Sequence, residues 1–213
     1  MFSQPKFETI DTSNLQPFFT GAEAEIFKTE NSIIKKRVSK KYRLDEIDKS
    51  IRKSRTKKEA KLICKMYDLD IKVPKLIRYD NTSIEMELIK GSTVKEYINI
   101  MCQNISNDSL IRDILLKCGK LIKMLHNNDI IHGDLTTLNL LCNENDIYVI
   151  DFGLSFISKK VEDKAVDLFT FEKSIKCIHN EKFIKNVLEG YGEMDKEMTN
   201  KIDEIRKRGR KRD

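Results

Sequence analysis

Residues 131 to 153, IHGDLTTLNLLCNENDIYVIDFG, constrain this chain more than any other stretch. Two short apolar runs, LNLLC and IYVID, flank the turn-forming NEND, and together they predict a hairpin. Polar side chains stand at its ends: Asp134, then Asn139 five residues later, then the triplet Asp151-Phe152-Gly153. Taken singly, each is explained as a turn-capping residue between strands. Taken together, they ask what charged ligand the rest of the chain brings to them.

The 213 residues suffice for one or two domains and for a core that needs no staples. Charged residues make up 35% of the chain, above the usual share of about 25%, so much of the surface is solvated charge. No apolar run approaches the ~18 residues of a membrane span, and the start, MFSQPKFETIDTSN, has no apolar signal region. These features predict a cytosolic or nuclear protein without membrane contact. The cysteines Cys64, Cys102, Cys118, Cys142 and Cys177 lack metal-ligand spacing, and three histidines are too scattered for zinc. The thiols are expected to be free and mostly buried.

The net charge of +6 is unevenly placed. Residues 28 to 65 hold 15 bases against five acids, and the last eight residues, RKRGRKRD, hold six bases and one acid. The remainder is acidic. Two basic segments suggest a polyanionic partner, although a charge run is also what a solvated helix face and a loose tail look like.

In chain order, residues 15 to 38 alternate as a small antiparallel sheet. LQPFF and EIFKT are joined by the turn Gly21-Ala22-Glu23-Ala24, and SIIKKRV follows a TEN turn. A glycine there lets backbone amides approach a phosphate, or simply makes the turn. Lys35 lies in the third strand on the same face as Ile33 and Arg37, with Lys36 on the other face. Residues 52 to 67 read as a helix whose apolar stripe contains Glu59 beside Leu62, Ile63 and Met66. A carboxylate in that stripe lies at the edge of the buried face or points at a buried cation. Arg55, at i−4, is a local partner worth only about 0.3–0.5 kcal/mol.

IKVPKLIRYD and TSIEMELIKG read as strands, with Pro74 marking an edge or a strand start. Gly91 ends the second, and a helix starts at Ser92 or Thr93 with Glu96 as a partial capping signal. Residues 108 to 128 form the clearest helix, capped by Asp108 or Ser109. Its apolar stripe comprises Leu110, Ile111, Ile114, Leu115, Cys118, Leu121, Ile122 and Leu125, and Asn127-Asn128-Asp129 stops it. After Gly153, AVDLFTFEKSIKCI, KFIKNVLEGYG and residues from Lys196 to about Lys207 read as helices. A boundary near residues 88 to 92 separates a small sheet with one helix from a mostly helical part. The expected architecture is an α+β, minimal two-lobed, protein-kinase-like fold. It is a single domain over residues 1–213, with an N-lobe at 1–90, a C-lobe at 91–205 and a basic tail at 206–213.

The motifs occur in a definite order: a glycine turn, a third-strand lysine, a helix glutamate, H-G-D-x-x-x-x-N, then D-F-G. That is the parts list of phosphoryl transfer in the protein-kinase fold. A transferring phosphoryl group is dense negative charge, so its site supplies Mg²⁺ and positioning. Mg²⁺ takes hard oxygen ligands, which Asn139 and Asp151 offer. Asp134 can then accept a proton from the attacking hydroxyl or water. Lys35 would hold the α- and β-phosphates of ATP, and Glu59 would orient Lys35, which accounts for the carboxylate in the helix stripe.

GAEAEIF, IIKKRV, RTKKEAKLI, IHGDLTTLNLL, VIDFGLSFIS, VEDKAVDL and RKRGRKR resemble the PRPK family, the small atypical kinase subunit of the KEOPS (EKC) complex, over nearly the whole chain. The resemblance implies an ATP-dependent subunit placed against the threonylcarbamoyl-transferase subunit, supporting N6-threonylcarbamoyladenosine formation on tRNA. It also implies Ser/Thr kinase activity toward itself and some proteins. On this basis the nucleotide-binding set is Gly21, Ala22, Glu23, Ala24, Lys35, Glu59, Glu87 and Ile89; Asp134 is catalytic; Asn139 and Asp151 hold metal. Asp167, in KAVDLFTFE, is expected to brace the catalytic loop. Tail residues Arg206, Lys207, Arg208, Arg210, Lys211 and Arg212 are expected to contact tRNA or a partner.

Departures from ordinary protein kinases narrow the activity. Gly21 stands alone where the usual loop is G-x-G-x-x-G. Gly133 replaces the arginine before the catalytic aspartate, and Thr136 replaces the catalytic-loop lysine. There is no A-P-E triplet, and only 60 residues follow Gly153. The expectation is a partner-controlled ATP hydrolase and weak Ser/Thr kinase. The competing readings are three. One is a RIO-type atypical kinase, against which D-F-G and the paired threonines speak. Another is a scaffold with a vestigial site, against which the complete set of phosphate and metal side chains speaks. The last is a tRNA-binding protein with a structural nucleotide.

Overall fold

Pro17 has no N–H to donate, so the first hairpin begins only after it. The computed structural model, which describes residues 5–103, 108–144 and 146–209, shows this directly. The chain divides into two compact units, residues 1–89 and 90–213.

In the first unit, β1 (Lys6–Phe7) precedes β2 (Phe19–Thr20), β3 (Ala24–Lys28), β4 (Ser32–Arg37), α1 (Asp45–Asp68), β5 (Leu76–Tyr79) and β6 (Ser83–Glu87). The strands form one sheet in the order β1-β5-β6-β4-β3-β2. All its pairings are antiparallel except β1 with β5, which is parallel. LQPFF was expected to be a whole strand; only its last residue joins β2, because pairing starts at Phe18 N–H to Ile26 O (2.8 Å). The sequence signalled no role for residues 5 to 14, yet Ile10, with Leu15, packs on Phe27 and Ile34. Phe27 and Ile34 are opposite one another across β3 and β4, so they share a face. Lys36 points to that side and donates to Thr12 Oγ1 (2.8 Å).

α1 is longer than the expected 52–67, starting at Asp45. Asp48, on its first turn, is 1% exposed and accepts from Arg52 Nε (2.7 Å) and the Lys40 amide (3.3 Å). This buried carboxylate ties the basic segment before the helix to the helix itself. Ala60, Leu62, Ile63 and Met66 are buried beside Glu59.

In the second unit, β7 (Ser92–Thr93) leads into α2 (Val94–Met101), α3 (Asp108–Asn127), β8 (Ile130–Ile131), β9 (Leu140–Asn143), β10 (Asp146–Val149), β11 (Phe156–Ile157), α4 (Val161–Ile178), α5 (Ile184–Tyr191) and α6 (Lys196–Gly209). Thr93 and Glu96 complete a capping box on α2. Asp108 is the first residue of α3 rather than its cap, and its carboxylate accepts from Lys182 Nζ (2.8 Å). Every member of the α3 stripe is buried except Leu110, which is exposed in the first turn. α3 crosses α5 at two glycines. A Cβ on Gly119 would lie 2.1 Å from Val187 O, and one on Gly190 2.1 Å from Leu116 O, so the backbones approach as only glycine permits.

Only Cys118 and Cys142 of the five thiols are fully buried; Cys64 is half-buried, and Cys102 and Cys177 are exposed. The expectation of mostly buried thiols fails because Cys102 caps α2 and Cys177 lies on an exposed stretch of α4. Burial pushes the Cys142 thiol up to about 11 and that of Cys118 well above its usual value. No helix among the described residues is long and apolar enough to cross a membrane.

Candidate active site

Strand alternation puts Lys35 and Arg37 on one face of β4, and the α1 stripe delivers Glu59 to that face. Lys35 Nζ lies 2.9 Å from Glu59 Oε1, and Arg37 Nη2 lies 2.5 Å from Oε2. The side chain of Glu59 is 2% exposed. Arg55, the local alternative, pairs instead with Glu23 in the Gly21–Ala24 turn (2.9 Å). The structure therefore favours the buried cation for Glu59 and supplies two of them. Arg37 was not singled out as a site residue, although the alternation that placed it beside Lys35 was legible.

The turn is closed by Gly21 N–H to Ala24 O (2.9 Å), and the Ala22 carbonyl accepts from Lys40 Nζ. Ala24 stands opposite Arg37 and so shares the Lys35 face. Glu23 is exposed and engaged with α1 through Arg55. Glu87 ends β6, where its amide donates to Lys75 O (2.9 Å) and its carboxylate accepts from Lys75 N–H (3.2 Å). Ile89 is buried.

In the second unit the β9–β10 hairpin has Leu140 opposite Val149, and Ile150 N–H donates to Asn139 O (3.0 Å). Asn139 and Asp151 thus come from the two strands at the same end of one hairpin. Asn139 Nδ2 donates to Asp134 O (2.8 Å) and to Asp134 Oδ2 (3.2 Å). Both partners are acceptors, so the amide nitrogen must face them, and the amide oxygen remains for another partner. Asp151 has φ +62°, a left-handed conformation that Asp and Asn enter more readily than other side-chain-bearing residues. Its Oδ1 accepts from Gly153 N–H (3.2 Å).

The loop carrying Asp134 is fixed from behind. Asp167 on α4, 2% exposed, accepts from His132 N–H at Oδ2 (2.8 Å) and Gly133 N–H at Oδ1 (2.9 Å). His132 Nε2 donates to Ile150 O (3.0 Å), leaving Nδ1 to accept from Asp134 N–H (3.3 Å); these partners fix the ring as its Nε2–H tautomer. Two turns further along α4, Ser174 Oγ accepts from Thr137 N–H (3.0 Å). Behind Asp167, His126 Nε2 lies 3.3 Å from Oδ2, and its Nδ1 lies 2.9 Å from Tyr191 OH. Burial, then Asp195 and Asp167, push Tyr191 up to about 12. His126, Ser174 and Tyr191 were missed. Ser174 had a faint signal, seven residues from Asp167 on the same helix face; His126 and Tyr191 had none beyond their own elements.

Gly133 has φ +81°, and a Cβ there would stand 2.6 Å from Leu154 O. The glycine that replaces an arginine is therefore required by the backbone, as well as being a missing cation.

Of the tail, Arg210, Lys211 and Arg212 lie outside the described residues. Arg206, Lys207 and Arg208 are the last turn of α6. Arg206 forks onto Glu172 of α4 (3.0 and 2.6 Å), and Arg208 reaches Glu162 (3.3 Å). These two are engaged within their own unit, Arg206 with a buried carboxylate and Arg208 while 61% exposed.

The RIO domain family matches residues 19–198. The EKC/KEOPS complex subunit BUD32 of Enterocytozoon bieneusi is 46% identical over 202 residues, covering 91% of this chain and 98% of that one. The "Probable bifunctional tRNA threonylcarbamoyladenosine biosynthesis protein" of Methanobrevibacter smithii is 40% identical over 203 residues, covering 89% of this chain but 36% of that protein. Among solved structures, WaaP in complex with acyl carrier protein superposes with a TM-score of 0.69 at 11% identity, over 94% of this chain and 90% of that one. That likeness establishes the α+β, protein-kinase-like fold. D-F-G and the paired threonines, read as speaking against a RIO-type chain, do not separate the two families, because the RIO match spans both motifs. With a relative this similar over its full length and a domain match across most of the chain, the protein belongs to the BUD32 family and carries a RIO domain.

Proposed function

We propose that the chain is a Mg²⁺-ATP-dependent phosphoryl-transfer enzyme, an ATPase and atypical Ser/Thr kinase, working as a KEOPS subunit in support of N6-threonylcarbamoyladenosine formation on tRNA. The observation that carries the reading is that Asp134, on a loop held by Asp167, accepts from Asn139 at the end of the hairpin whose other strand runs into Asp151. Asp134 accepts the proton as the hydroxyl or water oxygen bonds to the γ-phosphorus and the bond to the β-phosphate oxygen breaks. Asn139 orients the Asp134 carboxylate through Nδ2.

The residues fit Mg²⁺ in kind. Asn139 Oδ1 and the Asp151 carboxylate are hard oxygens, and no three His, Cys, Asp or Glu among the described residues cluster as a metal cage. A magnesium site that relies on few protein ligands and on substrate phosphates has this composition. Bound there, the ion would neutralise charge developing on the phosphoryl oxygens. Lys35, oriented by Glu59, is assigned to the α- and β-phosphates, and the Gly21–Ala24 turn, Glu87 and Ile89 to the nucleotide.

Partnership with a threonylcarbamoyl transferase is supported by the archaeal relative, in which a segment like this chain is part of one bifunctional protein. Contact with tRNA is assigned to Lys207, Arg210, Lys211 and Arg212. The decisive measurement is ATP turnover with and without the transferase subunit and tRNA. Slow turnover alone and stimulation by both are expected; brisk phosphorylation of many peptides by the isolated chain would overturn the reading.

A further inference from the structure

We infer that Arg37 is a positioning residue that keeps Glu59, and through it Lys35, in place for the nucleotide. The inference rests on the assignment of Lys35 to the phosphates. Glu59 has two oxygens, and each has its own cation: Oε1 takes Lys35 and Oε2 takes Arg37. The three side chains are 10%, 5% and 2% exposed for Lys35, Arg37 and Glu59, so the cluster is closed to bulk water.

A carboxylate whose only partner is a phosphate-binding lysine is poorly provided for. When the ammonium leans to an incoming anion, a buried carboxylate loses part of its counter-charge. The second cation removes that conflict. Arg37 neutralises Glu59 through Nη2 at Oε2, the oxygen that Lys35 does not take. Arg37 is itself anchored: its amide donates to Thr82 O (2.8 Å), and it faces the small side chain of Ala24 across the ladder.

The same geometry bears on control. Withdrawing α1 from the sheet would take Glu59 away from a guanidinium that is 5% exposed. Separating such a pair while either charge stays buried is unfavourable, so both cations hold α1 to the sheet through Glu59.

The test uses the full chain assembled with its transferase subunit and tRNA. KM for ATP and kcat are measured separately, together with the dissociation constant of a non-hydrolysable ATP analogue, for Lys35→Met, Arg37→Met and Arg37→Lys. Arg37→Met is expected to raise both KM and the dissociation constant on the order of ten-fold, the scale for losing a supporting contact behind a ligand. Arg37→Lys should recover part of that loss, since it restores the charge with a shorter, differently shaped side chain. An Arg37→Met protein that binds nucleotide like the native one, with only its folded fraction reduced, overturns the inference. If Arg37→Met does not fold, Arg37→Lys decides: weakened nucleotide binding supports the inference and native binding overturns it. If Lys35→Met leaves binding and turnover native, the phosphate assignment of Lys35 falls and this inference with it. If Lys35→Met is inactive while Arg37→Met binds as the native protein does, only this inference falls.

Discussion

Gly133 lies against Leu154 so closely that a methyl group on its Cα would be 2.6 Å from the Leu154 carbonyl oxygen. Its φ of +81° is also costly for any other residue. Gly192 has φ +78° but open space where a Cβ would be. Gly192→Ala should therefore show backbone strain alone, about 1–3 kcal/mol at its ψ of −162°, whereas Gly133→Ala adds a collision with backbone. Thermal melting of the two variants separates these terms. The Gly133 variant should melt lower by several degrees, at about 2–4 °C per kcal/mol for a chain of this size, and Gly133→Arg should not create a regulated kinase. Equal losses for the two alanine variants would show that Leu154 yields.

Asp151→Asn should reduce ATP turnover on the order of 100-fold or more, the scale for deleting a preorganised electrostatic group. It should leave the melting temperature nearly unchanged, because Asn also tolerates the left-handed conformation at φ +62°. Retained turnover would remove Asp151 from the metal role.

Asp167→Ala would strand the amides of His132 and Gly133 and the ring of His126. Buried unsatisfied donors cost about 1–3 kcal/mol each, so a loss of about 3 kcal/mol or more is expected, with turnover falling as the Asp134 loop loosens. Calorimetric melting and single-turnover rates check the two effects.

Tyr191 gives a pH signature. Its folded pKa, about 12, lies above the unfolded value of about 10. Between these values the folded state binds the extra proton. The contribution to stability is therefore complete below pH 10 and is lost as the pH rises to about 12. Denaturant unfolding across that window should show a falling stability in the native chain and a shallower fall in Tyr191→Phe.

For tRNA binding, contact by all six tail bases would give a log–log salt slope of about −4, and contact by Lys207, Arg210, Lys211 and Arg212 alone about −3. Deleting residues 210–213 should remove roughly two units of slope. Arg206→Ala should leave the slope nearly intact and cost about 2 kcal/mol of stability, because it unpairs the Glu172 carboxylate, which is 5% exposed. A slope that responds to Arg206 and not to the deletion would reverse these assignments.

Asp134, Asn139 and Asp151 were readable in the sequence because local rules place them. A hairpin between two apolar runs puts residues at its ends whatever surrounds it, and strand alternation placed Lys35 on one face of β4. Glu59 was readable as an anomaly, a carboxylate in an apolar stripe, and the order of motifs paired it with Lys35; its second cation, Arg37, was not read. Over 20 residues of chain separate Glu59 from Lys35 and Arg37, and only the packing of α1 on the sheet brings them within 3 Å. The tail's charge was visible too, while Glu162 and Glu172, which pair with Arg208 and Arg206, become neighbours only when α6 docks on α4.

The stretch of residues 131 to 153 by itself determined the chemistry on offer, carboxylate and amide oxygens at the end of one hairpin. The tertiary structure decided how firmly they are held. Asp167, Ser174, His126 and Tyr191 come from three helices, and their hydrogen bonds to the loop and to one another depend on helix crossings, such as that at Gly119 and Gly190, that no local periodicity encodes. Sequence spacing fixes which residues share a strand or helix face; which faces meet is settled only when distant segments bury their surface together.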